Sequence, residues 1–272
     1  IGVLIPSIDH HFFARAISAI EQTVAKENFS VIITQSHEKW DNERKIINNF
    51  LANRVAGVIV SIAEDSDSPD HFNRLLHQDI PVVFFDRGFK KDIKATRVIT
   101  DDFGGAYQAV EHLIKRGYKK IAHIGGNRNL EICQERYQGY KQALEDYNIE
   151  SISDLIISEG IKRIDGENGF CKLWRQENKP DAIFCVNDPV AVGVYNKCEE
   201  MDLNIPDNVA VVGFSNSELA RFLCPPLTTI DQSESLMGER AAQILLEQIK
   251  DGNKNINKKE VMKTKLIIRN SS

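Results

Sequence analysis

The feature that most constrains this chain is a repeated change of period. Short runs rich in β-branched residues, "IGVLI", "VAGVIVS", "IPVVFF", "IAHI", "AIFCV" and "VAVVG", alternate with longer stretches in which apolar residues recur at helical spacing. A strand joined through a helix to the next strand is a βαβ unit, and strands so joined lie parallel in a sheet covered on both faces. Strands are expected at Ile1 to Ile5, Phe29 to Thr34, Gly57 to Ser61, Pro81 to Phe85 and Val98 to Thr100. Helices are expected at Phe12 to Glu27, Asp41 to Asn53, Pro69 to Leu76 and Gly104 to Arg116.

After "KRGYKK" the alternation starts again. It predicts strands at Ile121 to Ile124, Asp154 to Ile157, Ala182 to Val186 and Val209 to Gly213, and helices at Glu135 to Tyr147, Asp165 to Gln176 and Asp188 to Glu200. Asp188 before Pro189 offers a side-chain cap and a residue whose missing N–H costs nothing in a first turn; Asp102 before "FGGAYQAVEHLI" is read as a cap in the same way. Beyond Leu227 come a short strand "TTI", an amphipathic helix Ser233 to Lys250, a polar loop rich in Asn and Lys, and a last strand "TKLIIR". These are too few for a third domain and are expected to complete the first two. The fold class is therefore α/β, two doubly wound parallel-sheet lobes with several crossings between them.

Composition agrees with two ordinary cores: 272 residues, 42% hydrophobic and 27% charged. The longest apolar runs fall short of the roughly 20 residues that cross a bilayer, and no basic segment with a following apolar one opens the chain, so no membrane partner is expected. The net charge is −5, with Lys and Arg scattered among acids, which is not the footprint of a nucleic-acid binder. The five cysteines, Cys133, Cys171, Cys185, Cys198 and Cys224, include no CxxC pair, and the odd count argues for reduced, mostly buried thiols. The chain opens on a strand without an initiator Met, as expected of a piece of a longer protein.

In an open parallel sheet, ligands bind beyond the carboxyl ends of the strands. Those positions here are Ser7 to Phe13, Gln35, Ser36, Asp86, Arg87, Asp101, Asp102, Gly125 to Asn127, Asn187, Asp188, Ser215 and Asn216. They are strongly polar, and Phe12 and Phe13 add ring faces, a pairing that suits a sugar or a nucleobase. One of the two rings is expected to pack under the first helix and the other to face a ligand. Asp86 and Arg87 read equally as ligand groups or as an internal ion pair. His10 and His11 point apart in an extended connection and have no partner at metal spacing. "VVGFSNSE" lacks the second glycine of a nucleophile elbow, and "HIGGNRN" has neither dinucleotide nor P-loop spacing, so no enzyme, cofactor or metal is expected.

Taken in order, "IGVLIPSI…FFARAISAIEQTV", "IPVVFFDR", "DDFGGAYQAVEHLIKRGYKKIAHIGG", "RYQGYKQAL", "PDAIFCVNDPVAVGVY", "IPDNVAVVGFSN" and "PPLTTIDQ…MGERAAQILLEQI" resemble the lactose-repressor and galactose-repressor family along the whole chain. The resemblance implies a cytoplasmic bacterial transcription regulator: a helix-turn-helix segment, absent from this chain, followed by a two-lobed effector core of periplasmic-binding-protein type (type I) that forms a homodimer and meets operator DNA only through the missing segment. The implied lobes are 1–118 with 231–262, and 119–230 with 263–272.

It also implies effector contacts. Phe12 and Phe13 match the aromatic pair at the first helix and Ser7 the strand-end position. Arg136 in "ERYQGY" matches the arginine that hydrogen-bonds effectors, Asn187 and Asp188 the "ND" pair, Phe184 an aromatic cleft position and Gln232 the last crossover. Asp86 completes the expected set. Ser215 stands where the family commonly has Asp, a weaker acceptor that can also donate. Leu130 and Ile132 replace polar contacts to purines, which points to a sugar-like effector held between the lobes. A solute-binding protein of an ABC transporter shares this architecture; the missing leader, the five unpaired cysteines and the "PPLTTIDQ" tail stand against it.

Overall fold

The computed structural model describes residues 1–9, 11–89, 92–252 and 257–272. The first elements are β1 (Gly2–Ile5), α1 (His11–Ala25), β2 (Ile32–Gln35), α2 (Trp40–Ala52), β3 (Val58–Val60), α3 (Asp70–Leu76), β4 (Val82–Phe85) and β5 (Thr96–Thr100). Then follow α4 (Asp102–Lys115), β6 (Ile121–Gly125), α5 (Glu131–Asp146), β7 (Ile156–Ser158), α6 (Arg163–Trp174), β8 (Ala182–Cys185), α7 (Asp188–Glu200) and β9 (Ala210–Ser215). The chain closes with β10 (Thr228–Asp231), α8 (Glu234–Lys250), β11 (Lys259–Met262) and β12 (Lys265–Ile267).

The chain forms two compact units, Ile1–Thr100 with Ser233–Met262, and Asp101–Gln232 with Lys263–Ser272. The first holds a parallel six-stranded sheet in the order β11-β5-β4-β3-β1-β2. Alternation along its strands divides the core. Val3, Ile5, Val83 and Phe85 face α1 and α8, while Leu4, Val58, Val60, Val82 and Phe84 face α2 and α3. The second unit repeats the plan in the order β12-β10-β9-β8-β6-β7, all parallel except β12 on β10. Here Ala122, Ile124, Ile183 and Val211 face α6 and α7, and Phe184, Val212 and Phe214 face α4 and α5.

Helices on one face lie unusually close. A β-carbon on Gly193 of α7 would overlap the Arg163 carbonyl of α6, and one on Gly238 of α8 would overlap the Ala16 carbonyl of α1. Glycine at these crossings lets backbone meet backbone, so both helices of a pair fit over one twisted sheet.

Three differences from the expected layout have physical causes. The boundary placed after Tyr118 lies instead after Thr100, because α4 packs on α5 and against β9 and β10, which carries 101–118 into the second unit. The same packing places Asp231 and Gln232 there, with Asp231 paired to Ser215. β11 was expected as loop. Its sequence "KEVM" has no apolar run, since it is a half-exposed edge strand held in register by β5. Helix α5 begins one turn before the expected Glu135, at Glu131, behind Leu130, which has no capping side chain to announce it. The five cysteines are unpaired; Cys133, Cys185 and Cys198 are buried, Cys171 is half-buried and Cys224 is exposed. Among the described residues no helix is long and apolar enough to cross a membrane.

Phe184, expected at an aromatic cleft position, is wholly buried on central strand β8. Its ring stacks on His123 at 5.1 Å, and Tyr140 lies on the same imidazole at 5.2 Å. His123 Nδ1 is 3.0 Å from the Phe184 carbonyl oxygen, so Nδ1–H donates. Burial, helped by the nearby charges of Arg128 and Arg136, lowers its pKa from 6.5 to about 4. The unfolded chain takes up a proton below 6.5, and the folded one only below about 4. Stability from this residue is therefore intact above 6.5 and falls as the pH drops toward 4. The loss should approach about 3 kcal/mol. Urea unfolding at a series of pH values should show this slope in the native protein and lose it in His123→Phe.

Candidate functional site

In the first unit the polar strand ends are knitted together by acids the sequence reading did not single out. Past β4, Asp86 takes a left-handed φ of 60°, and Arg87 turns back to place Nη1 3.0 and 3.1 Å from the two Glu38 oxygens. Arg87 Nε lies 3.6 Å from Asp86 Oδ2, which also accepts from Ser61 Oγ at 3.4 Å. Asp86 and Arg87 therefore form an internal ion pair extended by Glu38. Glu38 also accepts from the Glu64 N–H at 2.7 Å, and buried Glu43 accepts from the Ala63 N–H at 2.5 Å and from the Ser66 hydroxyl. The loop after β3 is thus held by two carboxylates from the start of α2 and the turn before it.

Of the two rings, Phe13 is the buried one, edge-on to Phe12 at 5.2 Å and to Phe85 at 6.0 Å. Phe12 is half-buried on the same cluster. Ser7, also half-buried, turns toward Asp9, whose N–H lies 3.3 Å from its Oγ. His11 sits 4.0 Å from Glu234, which pairs with Arg15 at 3.0 Å. His10 and part of the Asn-rich and Lys-rich loop lie outside the described residues.

The second unit centres on Arg136. The residue is 3% exposed, with Nε donating to Asp102 Oδ1 at 2.8 Å, Nη2 at 2.7 Å from the same oxygen, and Nη1 donating to the Val186 carbonyl at 2.7 Å. Its central carbon stands 3.8 Å above the Phe214 ring, close enough for a cation–π contact. Asp102 is available because it is not the cap of α4: Asp101 fills that position, accepting from the Gly104 N–H at 2.9 Å. The expectation that Asp102 caps the helix is corrected on that ground.

Around the ends of β8, β9 and β10 the polar groups hold one another. Asn187, not Asp188 as expected, caps α7 by accepting from the Val190 N–H at 2.9 Å, and it donates to the Ile161 carbonyl at 2.8 Å; the Asp188 carboxylate is turned to other donors. Buried Asp188 accepts from the Thr229 hydroxyl at 2.6 Å and the Ser217 N–H at 2.7 Å. Burial pushes its carboxyl up, against the downward pull of those bonds and of Arg269. Ser215 ends β9 at φ 132°, and Asn216, with φ 50°, bridges Asp231 at 3.0 Å and Arg269 at 2.6 Å. Asp188 thus fixes the turn that presents Ser215. Gln232 is buried just past β10. Asp102, Asn216, Asp231, Arg269, Glu38 and Glu43 are polar residues whose roles sequence reasoning missed. Only Asp102 and Asn216 carried a signal, as strand-end residues. Among the described residues no cluster of three metal-ligating side chains occurs.

Two six-stranded sheets with polar groups gathered past their carboxyl ends are those of an effector-binding core of periplasmic-binding-protein type. The family described as "Periplasmic binding protein-like domain" matches residues 110–272. The HTH-type transcriptional repressor PurR of Vibrio atlanticus is 32% identical over 253 residues, covering 92% of this chain and 75% of the relative. A LacI family transcriptional regulator from Enterococcus faecium, solved with bound ribose, matches with a TM-score of 0.88 at 28% identity, covering 100% of this chain and 97% of that one. The transcriptional regulator CelR in complex with cellobiose shares the fold, with a TM-score of 0.90 at 23% identity, covering 100% of this chain and 84% of that one. The chain belongs to the lactose-repressor and galactose-repressor family of transcription regulators. It is the effector-binding core of such a repressor.

Removing the cation of the central pair should leave Asp102 as an uncompensated buried charge. Arg136→Met is expected to lower unfolding stability by about 3–5 kcal/mol. Adding Asp102→Leu should restore part of that loss, and a double-mutant cycle by urea unfolding measures the coupling.

Proposed function

We propose that this chain senses a sugar or sugar derivative and passes its occupancy to an operator-binding segment of the same polypeptide, as a repressor acting in the cytoplasm. The observation that carries the reading is Arg136. Beyond its contacts with Asp102 and Val186, each terminal nitrogen of its guanidinium has a second N–H to offer an effector oxygen. In the same unit Ser215, at the end of β9, adds a hydroxyl that both donates and accepts; in the first unit, Ser7 past β1 and Phe12 are the hydroxyl and the ring surface proposed for effector contact. In this reading Asp86, Asn187 and Asp188 hold the strand-end loops in place rather than meeting the effector, Phe13 and Phe184 are core rings, and Gln232 just past β10 is proposed as a further effector contact. The ribose bound by the Enterococcus faecium regulator supports the choice of ligand class. Effector binding favours one of two states of the core, and the same free-energy difference changes operator affinity.

A second copy of the chain is part of the proposal, since a regulator that reads a palindromic operator does so as a symmetric pair. Leu219 and Phe222 of the second unit, 62% and 75% exposed, are apolar surface that such a partner would cover.

A thermal-shift panel of sugars, sugar phosphates, purines and amino acids tests the ligand class. A cognate sugar at a hundredfold its Kd should add about 2.7 kcal/mol. For a chain of this size that is a rise in Tm of roughly 5–10 °C. Phe12→Ala should weaken the effect, and a response to purines alone would exclude the sugar reading. Light scattering at micromolar concentration should give a dimer, and Phe222→Asp a monomer.

A further inference from the structure

A buried arginine ordinarily seeks an anion, and a bidentate oxyanion on a ligand would be a natural partner for Arg136. Here Asp102 occupies that place. The two side chains are 4% and 5% exposed, with one carboxylate oxygen 2.8 Å from Nε and 2.7 Å from Nη2. Asp102 lies in the first turn of α4, where the helix dipole favours a negative charge, so its carboxylate is stabilised from two directions. The other groups on the guanidinium are the Val186 carbonyl and the face of Phe214, both electron-rich. Arg136 thus arrives at the site with its charge already balanced and N–H donors still to give.

The consequence concerns the charge of the effector. A neutral hydroxyl or carbonyl oxygen accepts those N–H bonds without opposition. A phosphate or carboxylate in the same place meets the attraction of Arg136 together with the repulsion of Asp102 a few ångströms away, while giving up its hydration. We propose that Asp102 is a specificity-determining residue: by neutralising Arg136 it suits the site to an uncharged, hydroxyl-bearing or carbonyl-bearing effector and discriminates against phosphorylated and carboxylated analogues. This inference rests on the reading of the site as a sugar-effector site.

The test compares matched pairs, ribose with ribose 5-phosphate and glucose with glucose 6-phosphate, by calorimetry on the whole chain. The native protein should bind the neutral member of a responsive pair at least about tenfold more tightly, and that affinity should change little between about 0.05 and 0.5 M salt. Asp102→Asn keeps an acceptor oxygen but not the charge, and should shift the ratio toward the phosphate by about tenfold or more. Asp102→Glu should keep the native preference. A native protein that prefers the phosphate, or an Asp102→Asn ratio equal to the native one, overturns the inference and leaves the effector reading standing. Failure of the native protein to bind any sugar, phosphorylated or not, overturns the effector reading and the inference with it. If Asp102→Asn does not fold, the native ratio and its salt dependence decide: a phosphate preference or a steep loss of affinity with salt sinks the proposal.

Discussion

Parallel strand pairing is the constraint from which the rest follows. A parallel strand cannot be reached by a tight turn, so most crossovers carry the chain back over the sheet through a helix, β4 to β5 and β9 to β10 being joined by longer loops, and the parallel strands of a unit end at the same edge. In the first unit that edge collects Ser7, Ser36, Ser61 and Asp86, and in the second Asn187, Asp188, Ser215 and Asp231. The same crossovers cover both faces of each sheet. That is why the strands are apolar on both sides, and why α6 with α7 and α1 with α8 press together at Gly193 and Gly238.

Polar groups collected at one edge have to be reconciled with burial. Asp188, Glu43, Asp102 and Arg136 are all close to fully enclosed, and each is compensated by N–H donors, hydroxyls or an opposite charge. Such compensation does not make them efficient stabilisers. A buried ion pair generally does no better than apolar residues of the same volume, although removing one partner is costly. The Arg136–Asp102 pair, with the Val186 carbonyl and the Phe214 ring, fixes the guanidinium in one orientation. Asp188 has the complementary part. Its two accepted bonds reach β10 and the turn after β9, so a single carboxylate sets the position of Ser215.

What the sequence alone determined is the alternation of strand and helix and the strand-end positions where ligand chemistry gathers. These depend on local period and on composition: Pro189 marks the first turn of α7 as expected, although Asn187 rather than the expected Asp188 is its cap. The family resemblance brought Arg136 into view, which strand-end position did not, because Arg136 sits within α5 rather than past a strand.

Tertiary structure decided the rest, where two readings were locally equal. Asp101 and Asp102 are both acceptable caps for α4, and only the arrival of Arg136 from α5 assigns one to the helix and the other to the ion pair. Phe12 and Phe13 are adjacent rings, and the packing of Phe85 chooses which is buried. Strand β11 has almost no apolar signature because its register comes from the partner strand β5, and α4 joins the second unit because its apolar face meets α5. Long-range contacts such as these carry no short-range periodic signal. The side chains that settle them lie tens of residues away, and a choice between equal local alternatives is made only when those groups meet.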